Sequence, residues 1–104
     1  MDKNEILELL NAKFGTSVDL RLVKLREEFD ELMEAADKDI FGNKENLEDF
    51  VDELADLNVV LFHIAGILGF TQEQLLAVAV DKIVGREKDP NYKRKHPHVE
   101  NKNR

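Results

Sequence analysis

The sequence predicts an all-α fold, a bundle of four helices in a single helical domain. Its 104 residues contain only 5 Gly and 2 Pro, and Leu, Glu, Asp, Lys and Ala dominate, a composition typical of helical proteins. Along four segments the apolar residues recur at intervals of three and four, which is the spacing of one face of an α-helix. No segment alternates convincingly between apolar and polar residues, so we expect no strands.

The first two predicted helices lie on either side of Gly15. Helix one covers residues 4–14 and ends at Gly15, because glycine is common just beyond helix C-termini. Helix two begins at a cap provided by Thr16 or Ser17 and runs to about Asp37. Its apolar residues at helical spacing are Leu22, Leu25, Phe29, Leu32 and Ala36. We expect this stripe to be the buried face of helix two.

The third and fourth predicted helices follow a short polar connection. Asn46 is the candidate N-cap of helix three, which extends to about Leu68 and is apolar on nearly all sides from Leu57 onward. Thr71 and Gln74 have the spacing of a capping box and begin helix four. A four-helix chain this short covers such an apolar helix poorly, so we expect the protein to form a homodimer or a homotetramer.

Charge divides the chain into an acidic body and a basic tail. Residues 1–85 carry 19 acidic and 8 basic side chains, whereas residues 86–104 carry 3 acidic and 7 basic ones, within a net charge of −7. We therefore assign residues 1–86 to the helical domain and residues 87–104 to a basic C-terminal tail. The acidic body argues against nucleic acid as a partner of the main fold, although the tail leaves salt-sensitive phosphate binding open as an alternative.

Cysteine content and apolar runs indicate the compartment. The sequence has no cysteine and no basic leader followed by a short apolar run, so disulfides and thiolate metal sites are excluded and the cytoplasm is the expected location. The most apolar run, residues 57–70, contains Asn58 and His63. It is too short and too polar for a transmembrane helix, so we expect a buried core helix and no membrane partner.

Acidic residues on helices two and three form two pairs with the same spacing. Glu28 and Glu31 are one helical turn apart, as are Glu53 and Asp56, so each pair can converge on one object. Each pair alone is more commonly a solvated helix face. If the two helices pack antiparallel, however, four carboxylates meet at one level and form an oxygen-rich site suited to Mg²⁺ or Mn²⁺. Without a cation, burial would force several of them to be protonated.

The same residues carry a resemblance to a known family. The segments EEFDE and ELAD resemble the EExxE…ExxD signature of the MazG-like all-α NTP pyrophosphatases, a superfamily that includes phosphoribosyl-ATP pyrophosphatase and dimeric dUTPase. The resemblance implies an oligomeric, MazG-like bundle that hydrolyses an NTP or dNTP between the α- and β-phosphates, releasing a monophosphate and pyrophosphate. It also implies a catalytic Mg²⁺ site, with Mn²⁺ as a possible substitute. The implied ligands are Glu28, Glu31, Glu53 and Asp56, with Glu27 as an auxiliary ligand.

Basic residues near the C-terminus are the candidate phosphate ligands. The resemblance implies that Lys82 and Arg86, in the segment DKIVGR, hold the substrate phosphates at the end of helix four. The segment KHPHV resembles an RHPHV stretch that follows this helix in some MazG proteins, but residues 87–94 intervene, so Arg94 and Lys95 are candidates as well. The alternative for Lys82 and Arg86 is that they are ordinary cations that complement the helix dipole.

The predicted function is therefore Mg²⁺-dependent hydrolysis of a nucleoside triphosphate, with the cleansing of nucleotide pools as one purpose. The alternative is a noncatalytic helical nucleotide-binding or assembly module that keeps the carboxylates as a nucleotide or cation sensor. His63 lacks the E-x-x-H spacing of a di-iron bundle, and we interpret it as a packed or interface histidine. The few aromatic residues do not indicate a base preference.

Overall fold

The computed structural model describes residues 1–89 and residue 91, which form four α-helices and no strand. The helices are α1 (Lys3–Phe14), α2 (Val18–Asp37), α3 (Lys44–Ile67) and α4 (Gln72–Lys88). The predicted all-α class is confirmed. Arg94 and Lys95 lie outside the described residues. Among the described helices, no single one is long and apolar enough to cross a membrane.

Side-chain caps mark where α2 and α4 begin. Ser17 caps α2, because its Oγ accepts a hydrogen bond from the Leu20 N–H at 3.3 Å. The predicted capping box at α4 is confirmed. Thr71 Oγ1 accepts from the Gln74 N–H at 3.1 Å, and Gln74 Oε1 accepts from the Thr71 N–H at 2.8 Å. Local sequence alone therefore determines both helix starts.

Helix α3 begins about one turn earlier than predicted. Its N-cap is Asn43 rather than Asn46, and Asn43 Oδ1 accepts a hydrogen bond from the Asn46 N–H at 2.8 Å. Both asparagines are good cap residues, but the Asn46 side chain is engaged elsewhere. Its Nδ2 donates to the Asp39 carbonyl at 2.9 Å, which ties the α2–α3 connection to the first turn of α3.

The helices fall into two compact units, each described by itself. The first comprises Met1–Gly69, with α1, α2 and α3, and the second begins at Phe70 and contains α4. Gly15 and Gly69 have φ values of 76° and 89°. Glycine adopts this left-handed conformation without steric cost, so each of the two allows a helix to end. The division into residues 1–86 and 87–104 stays a prediction.

Helices α2 and α3 make the most extensive helix contact of the first unit, and they run in opposite directions. Near the end of α2, Lys38 pairs with Asp49 near the start of α3, with Nζ and Oδ2 3.8 Å apart. The start of α2 lies near the end of α3, since the charge of Arg21 acts on His63. This is the antiparallel arrangement that brings the carboxylate pairs to one level.

The face of α2 that packs inward differs from the predicted apolar stripe. Its buried residues are Arg21, Glu28 and Ala35, which recur every two turns along one side of the helix. Leu22 and Phe29 of the predicted stripe are 46% and 51% exposed. The prediction of a buried stripe is wrong for these two residues. Helix α3 packs against the side of α2 that carries Glu28, and this side is rotated around the α2 axis from the apolar stripe by about the angle between two successive residues. An apolar stripe is left on the surface of the first unit.

Helix α1 contacts α3 at a close approach. Leu10 is the buried residue of α1, and a Cβ atom built at Gly66 would lie 2.5 Å from Leu7 Cδ1. The absent side chain of Gly66 therefore lets the two helices meet. Through this contact α1 covers the end of the α2–α3 pair where Arg21 and His63 lie.

Candidate active site

Three of the predicted metal ligands converge between α2 and α3. Oxygen atoms of Glu28, Glu53 and Asp56 all lie within 4.8 Å of one another. Glu28 comes from α2 and is 6% exposed, whereas Glu53 and Asp56 lie one turn apart on α3, half-buried and exposed respectively. We call these three residues the carboxylate cluster. Its geometry follows from the equal spacing of the two pairs and from the antiparallel packing.

Glu31, the fourth predicted ligand, lies beside the carboxylate cluster rather than within it. It is exposed, one turn beyond Glu28 on α2, and its carboxyl group is within hydrogen-bonding reach of Glu53. Two ionised carboxylates cannot donate to each other. A proton or a cation must therefore lie between Glu31 and Glu53 for this contact to be favourable.

The surroundings of Glu53 disfavour its charged form. Burial is the largest cause that raises the pKa of Glu53, followed by the hydrogen bond with Glu31 and then by the charges of Glu31, Asp56 and Glu28. Each of these contributions makes a negative charge on the Glu53 carboxylate less favourable. The carboxylate cluster thus concentrates negative charge, which a proton or a cation would offset.

Two oxygen atoms of the carboxylate cluster have no hydrogen-bond donor within the part of the chain that the structure describes. Glu28 Oε2 and Glu53 Oε2 are buried and have no partner among the described residues. A buried carboxylate oxygen without a partner is destabilising. A divalent cation with a preference for oxygen would satisfy both atoms, and the donor set of carboxylates without His or Cys suits Mg²⁺ or Mn²⁺. The residues present therefore fit the metal that the sequence predicts.

Lys24 supplies a positive charge beside the carboxylate cluster. Its Nζ is 3.1 Å from Glu28 Oε1 and 3.5 Å from Glu27 Oε2. Glu27, the predicted auxiliary ligand, is thus turned toward Lys24, and its role as a ligand stays a prediction. The sequence prediction did not include Lys24. Its position four residues before Glu28 is the spacing of an ion pair along a helix, and this spacing could have indicated the contact.

A cleft of about 240 Å³ opens beside the carboxylate cluster, lined by Glu31, Glu34, Ala35, Lys38, Asp49, Asp52 and Glu53. Five of these seven residues are acidic and one is basic. A bare triphosphate would be repelled by such a lining. Any polyphosphate bound there needs additional cations.

The candidate phosphate ligands on α4 belong to the second unit. Lys82 is half-buried and Arg86 is exposed, one turn apart near the end of α4. Their role at the phosphates stays a prediction. The same holds for Arg94 and Lys95, which are not among the described residues.

Comparison with known proteins identifies the family. A family model described as phosphoribosyl-ATP pyrophosphohydrolase matches residues 3–78, which include all four predicted carboxylate ligands. Searches of curated proteins and of solved structures find no significant match. The matched family is part of the MazG-like all-α NTP pyrophosphatase superfamily, so the predicted resemblance is confirmed. Membership indicates a pyrophosphohydrolase, and the family is typically metal-dependent. The chain belongs to the phosphoribosyl-ATP pyrophosphohydrolase family.

Proposed function

We propose that the protein is a Mg²⁺-dependent nucleotide pyrophosphohydrolase, which cleaves an NTP or dNTP between the α- and β-phosphates. The observation that carries this proposal is the convergence of Glu28, Glu53 and Asp56, with two buried oxygen atoms that lack a partner. Family membership supports pyrophosphohydrolase chemistry. The identity of the metal and the choice of substrate are our inference.

The carboxylate cluster would hold the metal. Glu28 and Glu53 would each contribute the buried Oε2 that has no other partner, and Asp56 would contribute an oxygen from the exposed side. When bound, Mg²⁺ neutralises phosphate charge and lowers the pKa of a coordinated water. Mn²⁺ has the same preference for oxygen and would substitute.

The reaction requires a group that accepts a proton. The oxygen of a water attacks the α-phosphorus, the bond from that phosphorus to the bridging oxygen breaks, and pyrophosphate leaves with the electron pair. The attacking water loses a proton, which a nearby carboxylate accepts. We assign the role of proton acceptor to Glu31. This residue is exposed and lies outside the carboxylate cluster, but it is within hydrogen-bonding reach of Glu53.

The phosphates need basic side chains in addition to the metal, because the cleft lining is acidic. We propose Lys82 and Arg86 for this role, with Arg94 and Lys95 as alternates. The first two share a face of α4, since they are four residues apart. Replacing either would raise KM more than it lowers kcat if it binds the substrate and transition state equally.

We also propose that a second copy of the chain covers the apolar stripe of α2. A groove lined by Leu22, Leu25, Arg26, Phe29, Leu57 and Leu61 runs between α2 and α3. Five of these six residues are apolar, and contiguous exposed apolar surface is what a contact between subunits would cover. Two copies related by a twofold axis would each present the same groove, as isologous dimers do. A homotetramer would need a further contact.

A panel of NTPs and dNTPs, scored by pyrophosphate release with Mg²⁺ present or omitted, tests the proposed function. We expect release that requires the metal and that Asp56→Asn abolishes, whereas Glu48→Gln, an exposed acid on the same helix, leaves it unchanged. Calorimetry should accompany the panel. Tight nucleotide binding without pyrophosphate release would favour the noncatalytic module. The absence of both nucleotide binding and pyrophosphate release would overturn the proposal.

A further inference from the structure

Lys24 places a positive charge on a carboxylate that the metal would also use. Its Nζ lies 3.1 Å from Glu28 Oε1, and Glu28 belongs to the carboxylate cluster. The other oxygen of Glu28, Oε2, is buried without a partner among the described residues. One carboxylate thus contacts a cation of the chain itself through Oε1 and offers Oε2 to a divalent cation.

These two cations would oppose each other. Like charges repel, and the repulsion is stronger where water does not screen it. The Glu28 side chain is only 8% exposed, so the solvent screens little at this carboxylate. Burial also fixes the Glu28 side chain whether or not Lys24 contacts it. The charge of Lys24 should therefore matter more for metal binding than the orientation that its contact provides.

The ammonium group of Lys24 can leave Glu28. Its side chain is 44% exposed, and Nζ is also 3.5 Å from Glu27 Oε2, on a side chain that is 58% exposed. Exposed pairs of this kind contribute little to stability. The flexible stem of a lysine lets the ammonium reorient while the backbone stays in place. Lys24 can therefore exchange Glu28 for another anion without a change in α2.

The substrate would supply that anion. Lys24 lies one turn before Glu28 on α2, and Glu31 lies almost one turn after it. A cation therefore flanks the carboxylate cluster on one side and a further carboxylate on the other. The cleft on the Glu31 side has a mostly acidic lining, which repels phosphate groups. The Lys24 side attracts them.

We propose that Lys24 is an exchangeable counter-ion, which pairs with Glu28 in the free protein and with a phosphate group of the nucleotide in the complex. This inference rests on the proposed function. In the free protein, Lys24 lowers the affinity of the carboxylate cluster for a divalent cation. In the complex, it contributes to the affinity for the nucleotide. Metal and nucleotide therefore promote each other's binding, because such coupling is reciprocal.

Lys24→Gln tests the metal side of the exchange, because glutamine keeps a hydrogen-bond donor for Glu28 and removes the charge. The measurement is a titration of Mn²⁺ without nucleotide, followed by the electron paramagnetic resonance of free Mn²⁺. We expect Lys24→Gln to bind Mn²⁺ about threefold more tightly than the wild type, which is the scale of a partly screened charge pair.

A second measurement tests the nucleotide side. It is a calorimetric titration, in saturating Mn²⁺, of the α,β-methylene analogue of the nucleotide that the panel of NTPs and dNTPs shows to be turned over fastest. This analogue cannot be cleaved between the α- and β-phosphates. We expect Lys24→Gln to bind it about tenfold more weakly, the usual effect of losing a charged hydrogen bond. The two affinities should thus change in opposite directions.

Three further variants complete the test, with circular dichroism to verify that each is folded. Lys24→Arg keeps the charge, so both affinities should stay near those of the wild type. Lys24→Met removes the charge and the donor together, and it should follow Lys24→Gln. Lys44→Met removes an exposed cation from a pair of the same spacing, Lys44 with Glu48, and it should change neither affinity.

Tighter Mn²⁺ binding together with weaker analogue binding in Lys24→Gln supports the exchange. Unchanged or weaker Mn²⁺ binding would overturn it, because Lys24 would then only orient Glu28. Unchanged analogue binding would overturn it as well, because the ammonium would not reach the nucleotide. A wild type that releases pyrophosphate from no nucleotide would overturn the proposed function and the inference with it. That result is read on the wild type alone, so it is distinguishable from a failure of the exchange in an active enzyme.

Discussion

The ammonium group of Lys24 lies 3.1 Å from Oε1 of the buried Glu28 carboxylate. The hydrogen bond with Glu28 is the main cause that raises the pKa of Lys24. Lys24 thus engages one oxygen of Glu28 on the solvent side, while Oε2 has no partner among the described residues. The contact with Lys24 therefore orients the Glu28 carboxylate and leaves its other oxygen available to a metal.

Replacing Lys24 with Met should lower the melting temperature of the metal-free protein. The substitution leaves the buried Glu28 carboxylate without its counter-ion, and such unpaired buried charges are destabilising. The loss should be smaller in excess Mg²⁺, because a bound cation would replace the missing charge. Thermal unfolding in EDTA and in Mg²⁺ measures both effects.

The matched control is Lys44→Met, which removes an exposed pair of the same i, i+4 spacing. Lys44 Nζ is 3.5 Å from Glu48 Oε1, and pairs this exposed contribute little to stability. Equal decreases in melting temperature for Lys24→Met and Lys44→Met would show that Lys24 does not stabilise the buried Glu28 carboxylate.

Glu53→Gln should stabilise the metal-free protein at neutral pH. The pKa of Glu53 is raised in the folded state, so the stability linked to its proton is fully present below its unfolded pKa and is lost as pH rises through the raised value. The free energy of unfolding of Glu53→Gln should therefore exceed that of the wild type only slightly near pH 4, and the difference should grow toward pH 7. Denaturant unfolding across this range in EDTA measures it. A difference between the two proteins that does not vary with pH would contradict the electrostatic account of the carboxylate cluster.

Native stability should also fall on mild acidification because of His63. The pKa of His63 is lowered, so its contribution is present above its unfolded pKa and is lost as pH falls below about 6.5 toward the folded value. Protonation would place a second N–H at the buried Nδ1, beside Arg21 and without an acceptor among the described residues. His63→Gln should flatten the stability profile between pH 7 and pH 5. An identical slope in the variant would locate the acid sensitivity elsewhere.

Phe29→Glu should convert the proposed dimer into monomers. Phe29 lines the apolar groove and is 51% exposed, and loss of a central interface aromatic typically costs about 2 kcal/mol or more, roughly a 30-fold increase in Kd. Sedimentation velocity of wild type and variant measures the change. Leu20→Glu, at an exposed leucine of α2 outside the groove lining, is the control. A monomeric wild type, or dissociation by both variants alike, would contradict the proposed interface.

Local signals in the sequence predict much of this fold, and tertiary contacts account for what they miss. Capping residues and glycines locate the helix ends, because caps act through neighbouring backbone groups. The choice between Asn43 and Asn46 depends on a hydrogen bond to Asp39, which the cap pattern does not contain. The spacing of Glu28, Glu53 and Asp56 is enough to predict their convergence once the helices are antiparallel.

The buried face of α2 is the clearest failure of prediction. An apolar stripe indicates which side of a helix avoids water, but not whether α3 or another chain covers it. In this chain the α3 side of α2 carries Arg21 and Glu28, both buried. At functional sites, buried charges of this kind depart from the usual pattern of apolar residues inside and charged residues outside. Their positions follow from contacts between helices distant in sequence, which periodicity alone cannot supply.

The central claim is that Glu28, Glu53 and Asp56 bind one divalent cation. Titration of Mn²⁺ into the wild type and into Glu28→Gln, followed by the electron paramagnetic resonance of free Mn²⁺, tests it most directly. The account predicts saturable binding by the wild type and at least a 10- to 100-fold weaker affinity in the variant, with helical circular dichroism retained and with Glu48→Gln unchanged. Equal affinities for the wild type and Glu28→Gln, or no saturable binding by the wild type, would contradict it.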